Sequence, residues 1–232
     1  MSATGAVDQV RVPLPDPIRV GRVVAIGRRL DPSLVEPIAQ ALIDAGIRAF
    51  EITLDSPSAL ERIATLAGRF DPGRLLVGAG TVLDVDQARA ALEAGARFIV
   101  SPHGDAALTH WVARQGVPVI PGAMTPTEIL AAWRAGASAV KVFPASAVGP
   151  AFVREVGGPL PEIPLIPTGG ITVESAPSFI AAGAVAVGIG SWLTGVAGPT
   201  VVRERAREIA AAVQAVDAGE MPPRVPGLAS AE

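Results

Sequence analysis

The stretch "RAGASAVKVFP", residues 134–144, closes one element and opens another. Ala135-Gly136 reads as a helix C-terminus, where glycine accepts the left-handed backbone that stops a helix. Ala139 to Phe143, apolar apart from Lys141, then read as a short parallel strand buried on both faces. The same phrase recurs as "DAGIRAFEITL" (44–54), "EAGARFIVSP" (93–102), "RQGVPVIPG" (114–122) and "AAGAVAVGIG" (181–190). Gly95, Gly116 and Gly136 stand 21 and 20 residues apart. Gly46 to Gly95 and Gly136 to Gly183 span 49 and 47, room for two units each. Such self-similarity is the leading signal of organisation in this chain.

Filling the missing units places strands near 22–27, 48–54, 75–79, 97–101, 117–121, 138–143, 163–167 and 185–189. Helical patterns lie between them; Leu34, Val35, Ile38, Ala41, Leu42 and Ala45 mark one such face. Eight strands alternating with helices, at roughly 23 residues per unit, predict an α/β fold of the (β/α)8 TIM-barrel type. A doubly wound open sheet is the alternative. No Gly/Ser-rich linker interrupts the run, so a single domain is expected over 19–215, with peripheral tails at 1–18 and 216–232.

Composition narrows the function. Half of the 232 residues are apolar and mean hydropathy is +0.44, yet no run of eighteen apolar residues suggests a membrane span. A net charge of −3, three Trp and no Tyr make a poor footprint for nucleic acid. With no cysteine, disulfides, zinc-thiolate sites and cysteine nucleophiles are excluded, and two histidines exclude a His-rich metal site. The first residues lack a basic segment followed by an apolar one, so no signal peptide is read and a cytoplasmic location is expected. Any acid, base or nucleophile must come from Lys, Asp, Glu, His, Ser or Thr.

In a barrel, chemistry sits at the C-terminal ends of the strands. Lys141 stands near one such end and is the chain's sole lysine among nineteen cationic residues. Burial disfavours its ammonium and leaves an amine able to attack a carbonyl. The competing reading is a lysine whose stem packs inside while its head reaches solvent or a carboxylate. Glu51, in "RAFEITL", is the one carboxylate in the second strand, and alternation puts it with Thr53 opposite Phe50 and Ile52. It could meet Lys141 as an ion pair or as a proton shuttle. Three glycine-rich strand ends follow: "GAGTV" (78–82), offering Thr81, then "PTGGIT" (167–172) and "GIGSWL" (188–193). Glycine loops after strands seven and eight are where such barrels bind phosphate. His103, in "SPH", stands at the mouth as a loop histidine or a substrate contact. His110 reads as structural, and Arg203, Arg205 and Arg207 as a solvated last helix.

These segments, with "VPVIPGAMTPTE" and "VKVFPAS", run in order over about residues 20–195 and resemble the 2-keto-3-deoxy-6-phosphogluconate (KDPG) aldolases. The resemblance implies a (β/α)8 class I aldolase that releases pyruvate and glyceraldehyde 3-phosphate, a homotrimer with a small-molecule substrate and neither metal nor cofactor. It further implies Lys141 as the Schiff-base lysine and Glu51 as general acid/base. Thr81 and Pro102 would lie beside the keto acid and Phe143 near the lysine. Gly169, Gly170, Gly190 and Ser191 would bind phosphate. One position departs: many members carry a carboxylate-binding arginine where this chain has Asp55. Arg28, ending the first strand, is expected to take over that contact, as in a related branch acting on the galactonate epimer. "LDSP" and "FPASAVGP" resemble that branch, whereas "PTGG", with Thr168, resembles the gluconate branch. Alternatives are the galactonate epimer, unphosphorylated 4-hydroxy-2-oxoglutarate, a phosphate-binding barrel forming no imine, and a non-catalytic binding protein.

Overall fold

The first strand, β1 (Val23–Gly27), is buried along its whole length, and so are β2 (Ala49–Thr53) and β3 (Leu76–Gly80). The computed structural model describes residues 10–195 and 198–217. Shorter strands follow: β4 (Ile99–Val100), β5 (Val119–Ile120), β6 (Gly122–Ala123), β7 (Val140–Val142), β8 (Leu165–Pro167) and β9 (Val187–Ile189). Each expected strand segment overlaps an observed strand. The one expected at 117–121 is broken at Pro121 and resumes as β6, because the proline ring has no N–H to give the ladder.

All pairings are parallel. Six strands run in the order β5-β4-β3-β2-β1-β9 and three in the order β6-β7-β8. Backbone bonds also cross between the two sets. Ser138 N donates to Val119 O at 2.9 Å, and Val185 N to Leu165 O at 3.0 Å. Thr168 forms a parallel bridge with Gly188. The sheet is a curled parallel one, with helices on its outer face.

Those helices are α1 (Asp16–Arg19), α2 (Val35–Asp44), α3 (Ala59–Arg69), α4 (Val85–Glu93), α5 (Ala106–Arg114), α6 (Pro126–Arg134), α7 (Gly149–Gly157), α8 (Ala176–Ala181) and α9 (Pro199–Asp217). The expected helix at 34–45 appears as α2, entered through a 3-10 turn at Pro32–Leu34. The five glycines of the repeated phrase, Gly46, Gly95, Gly116, Gly136 and Gly183, all have φ between 73° and 104°. Gly136 is doubly constrained, since a Cβ there would lie 2.7 Å from the carbonyl of Val10.

Alternation along the strands separates two cores. Val23, Ala25, Phe50 and Ile52 pack outward against Ile38, Leu42, Ile63 and Leu66 of the helices. Val24, Ala49, Phe98, Val100, Ala139 and Ile166 form a second cluster on the concave face. Leu14 and Ile18 join that inner cluster. Burying Ile18 alone is worth about 2 kcal/mol.

The tail expected at 1–18 is described from Val10 onward, and this part is packed. Arg11 donates to the carbonyls of Ala137 (2.5 Å) and Trp133 (2.9 Å), with its guanidinium 3.1 Å from the Trp133 ring centroid. It thereby satisfies carbonyls at the C-terminal end of α6. Arg11→Ala is expected to cost about 1–3 kcal/mol, read as a lower urea midpoint with unchanged slope. The remainder of the expected tails, residues 1–9 and 218–232, lies outside the described residues.

Arg207 of α9 is exposed, as expected of a solvated face, whereas Arg203 and Arg205 are half-buried and engaged. Arg203 pairs with Asp44 of α2 at 3.5 Å, while Arg205 donates to the Trp192 carbonyl and sits 5.2 Å from that ring. Long arginine stems can cover apolar surface while their heads reach back to the sheet's loops.

Candidate active site

Glu51 lies on the concave face of β2 and Lys141 on that of β7, exposed by only 2% and 4%. They line one small cavity with Thr168, among Val24, Val100, Ile120 and Ile166. Glycines on neighbouring strands make this possible. A Cβ on Gly80 of β3 would collide with Glu51 Oε1, and one on Gly188 of β9 would collide with Thr168 Oγ1. The glycines expected at strand ends thus leave volume for the polar side chains next to them.

Burial dominates the electrostatics of both charged residues. It pushes the Glu51 carboxyl above its ordinary range, against the opposing pull of the Lys141 and Arg28 charges. It holds the Lys141 amine below the ordinary lysine range; Arg28 pushes the same way and Glu51 opposes it. Among the described residues no contact ion pair joins Glu51 to Lys141. Two desolvated groups whose neutral forms are favoured can pass a proton to a molecule held between them.

The other expected site residues sort into those brought together and those not. The Phe143 ring centroid is 4.8 Å from Lys141 Nζ, and a Cβ on Gly169 would lie 3.2 Å from that ring. Pro102 follows β4, and its carbonyl backs onto Gly122, the register partner of Lys141. Arg28 and Thr81, from the ends of β1 and β3, are joined directly: Arg28 Nη2 donates to Thr81 Oγ1 at 3.1 Å. Gly169 and Gly170 follow β8 in left-handed backbone (φ 97° and 76°), and a Cβ on Gly170 would meet Ser146 at 2.7 Å. Gly190 and Ser191 begin the turn after β9. Among the described hydrogen bonds, the amides of Gly169, Gly170 and Ser191 donate to none.

Sequence reasoning missed several partners. Asp55, noted as a departure from the family pattern, accepts from Arg28 Nη1 at 3.0 Å. Buried Thr53 and Ser56 bond each other at 3.0 Å beneath the same loop. The signal available was "TLDSP" directly after β2, a cluster of short polar residues suited to a turn. Ser101 Oγ lies 2.9 Å from His103 Nδ1, fixing the ring of the exposed His103. His110 is on α5, half-buried. Among the described residues no group of three or more His, Asp or Glu side chains forms a metal-ligand set. No described helix is long and apolar enough to cross a membrane.

A buried amine that shares a cavity with a buried carboxylate on the concave face of a parallel α/β sheet is equipped for imine chemistry with a carbonyl compound. The chain belongs to the KDPG and KHG aldolase family, whose model matches residues 15–209. It is 38% identical over 213 residues to a probable 2-dehydro-3-deoxy-6-phosphogalactonate aldolase of Rhizobium meliloti (strain 1021), covering 90% of this chain and 99% of that one. A native KDPGal structure superposes with TM-score 0.81 at 33% identity, covering 84% of this chain and 96% of the other. The KDPG aldolase of Legionella pneumophila, with pyruvate captured as a covalent carbinolamine, superposes with TM-score 0.71 at 28% identity, covering 88% and 98%.

Proposed function

We propose that this chain is a Schiff-base aldolase that reversibly cleaves 2-keto-3-deoxy-6-phosphogluconate to pyruvate and glyceraldehyde 3-phosphate. One observation carries the reading: the sole lysine is buried in the cavity that also holds Glu51, with its amine below the ordinary lysine range. Lys141 Nζ attacks C2, and loss of water from the carbinolamine leaves a protonated imine. The C3–C4 electron pair flows into that imine as the C4 hydroxyl gives its proton to Glu51, through a water. The aldehyde departs, Glu51 returns the proton to C3 of the enamine, and hydrolysis frees pyruvate and Lys141.

Arg28 and Thr81 bind the substrate carboxylate, while Pro102 and Phe143 pack beside the keto acid. Thr168 faces C4. The amides of Gly169, Gly170, Gly190 and Ser191 hold the phosphate, a role supported by the left-handed glycine turn after β8. The pairing of the first strand with the last, together with the bonds linking the two strand sets, supports a closed (β/α)8 barrel over an open sheet. A single barrel domain over 19–215, with residues 10–18 packed onto it rather than forming a tail, a homotrimer and a cytoplasmic location complete the proposal.

A second reading, the galactonate epimer as substrate, is favoured by Arg28, paired with Asp55 and standing where the galactonate branch is expected to carry an arginine. Pyruvate release from the two epimers, measured side by side with their unphosphorylated counterparts, tests both. We expect both phosphorylated acids to be cleaved, the gluconate faster, and loss of the phosphate to lower kcat/KM on the order of 100-fold. Pyruvate from neither epimer overturns the proposal; a faster galactonate reaction selects the second reading.

A further inference from the structure

We propose that Asp55 is a positioning residue that holds Arg28 against Thr81 at the mouth, with guanidinium donors left over for a substrate carboxylate. This rests on the reading of Arg28 as the carboxylate ligand. The Arg28 side chain is 50% exposed, so packing alone does not fix its direction. Two side chains do: Asp55 Oδ2 accepts from Nη1 at 3.0 Å and Thr81 Oγ1 from Nη2 at 3.1 Å. A guanidinium has five N–H donors, and these two bonds leave three.

The loop beneath is clamped independently. Thr53 Oγ1 donates to Gly27 O at 3.4 Å, Arg29 N to Ser56 Oγ at 2.8 Å, and the buried Arg62 to Leu30 O at 3.0 Å. Arg29 and Thr81 both hold positive φ, 50° and 57°, a backbone that side-chain-bearing residues adopt only when their surroundings impose it. Asp55 also reaches Arg29, at 3.5 Å. Two guanidiniums against one carboxylate leave the cluster one positive charge in excess, so it still attracts an anion. The Arg28 charge also acts on both Glu51 and Lys141, so the tethered guanidinium belongs to the same electrostatic neighbourhood as the cavity. Asp55 is therefore not a lost arginine but the counter-ion of one that enters from the neighbouring strand.

The test is steady-state kinetics of Arg28→Ala, Asp55→Ala, Asp55→Asn and the double alanine variant with the phosphorylated keto acid, with Tm as a check on folding. Arg28→Ala is expected to raise KM by about 30-fold or more. Asp55→Ala is expected to raise KM about tenfold with kcat within about twofold, and Asp55→Asn, which keeps an acceptor, by less. The double variant is expected to match Arg28→Ala alone, because Asp55 acts through Arg28. An unchanged KM in Arg28→Ala overturns the carboxylate reading itself. A raised KM in Arg28→Ala with none in Asp55→Ala overturns only the positioning role. Additive effects in the double variant, or a fall in kcat without a change in KM, overturn it as well.

Discussion

Replacing Lys141 by methionine is expected to lower kcat by on the order of 10⁴-fold or more, with no loss of melting temperature. The amine is the only group in the cavity able to form an imine with C2, and methionine fills a similar volume among Val24, Val100, Ile120 and Ile166. Lys141→Arg is expected to be as inactive, because a guanidinium stays protonated and cannot condense with a carbonyl. Borohydride in the presence of pyruvate is expected to fix the label on Lys141 in the parent protein and nowhere in either variant. Turnover that survives in Lys141→Met, or a label on another residue, would sink the mechanism. The stability effect has a definite sign. The folded-state pKa of Lys141 lies below its ordinary 10.5. Its contribution to stability is therefore present above 10.5 and lost as pH falls through the lowered value. The Tm advantage of Lys141→Met should accordingly grow on acidification through that window.

Glu51→Gln is expected to lower kcat by about 10²–10⁴-fold while Lys141 can still be trapped with pyruvate, though slowly. An amide keeps the shape but can neither take the C4 proton nor return it to C3. The folded-state pKa of Glu51 lies above its ordinary 4.5, with burial as the leading cause. A raised carboxyl contributes stability that is fully present below 4.5 and lost as pH rises through the folded value. Thermal melts should therefore show Glu51→Gln more stable than the parent at neutral pH, with the difference closing toward pH 4.5. Equal activity of the glutamine variant, or a stability gap that widens on acidification, would contradict the assignment.

Much of the fold was readable because one local phrase, helix then glycine then apolar strand, carries both the stop signal and the buried strand that follows. The positive φ at Gly46, Gly95, Gly116, Gly136 and Gly183 is the physical content of that phrase. Lys141 and Glu51 were readable for a related reason: an isolated charge within an apolar strand is conspicuous in one dimension. The packing of residues 10–18 was not, since Arg11 bonds main-chain carbonyls more than 120 positions away, and carbonyls leave no mark on sequence. The Arg28–Asp55–Thr81 cluster joins three loops by side chains 27 and 53 positions apart. Its members could be named one by one, but their partnership depends on loop shape. The break at Pro121 was legible in principle, from the missing donor alone.

The burial of a solitary lysine has a practical consequence for anyone handling the protein. An amine-directed acylating reagent meets the chain's own α-amino group and, beyond it, only Lys141, which is 4% exposed. Outer surfaces offer such a reagent no other side-chain target, so attachment, cross-linking and stoichiometric tagging through lysine all converge on the cavity. A mass spectrum after mild acylation, read on the peptide that carries Lys141, would then report access to the cavity, turning an inconvenience of bioconjugation into a probe of its opening.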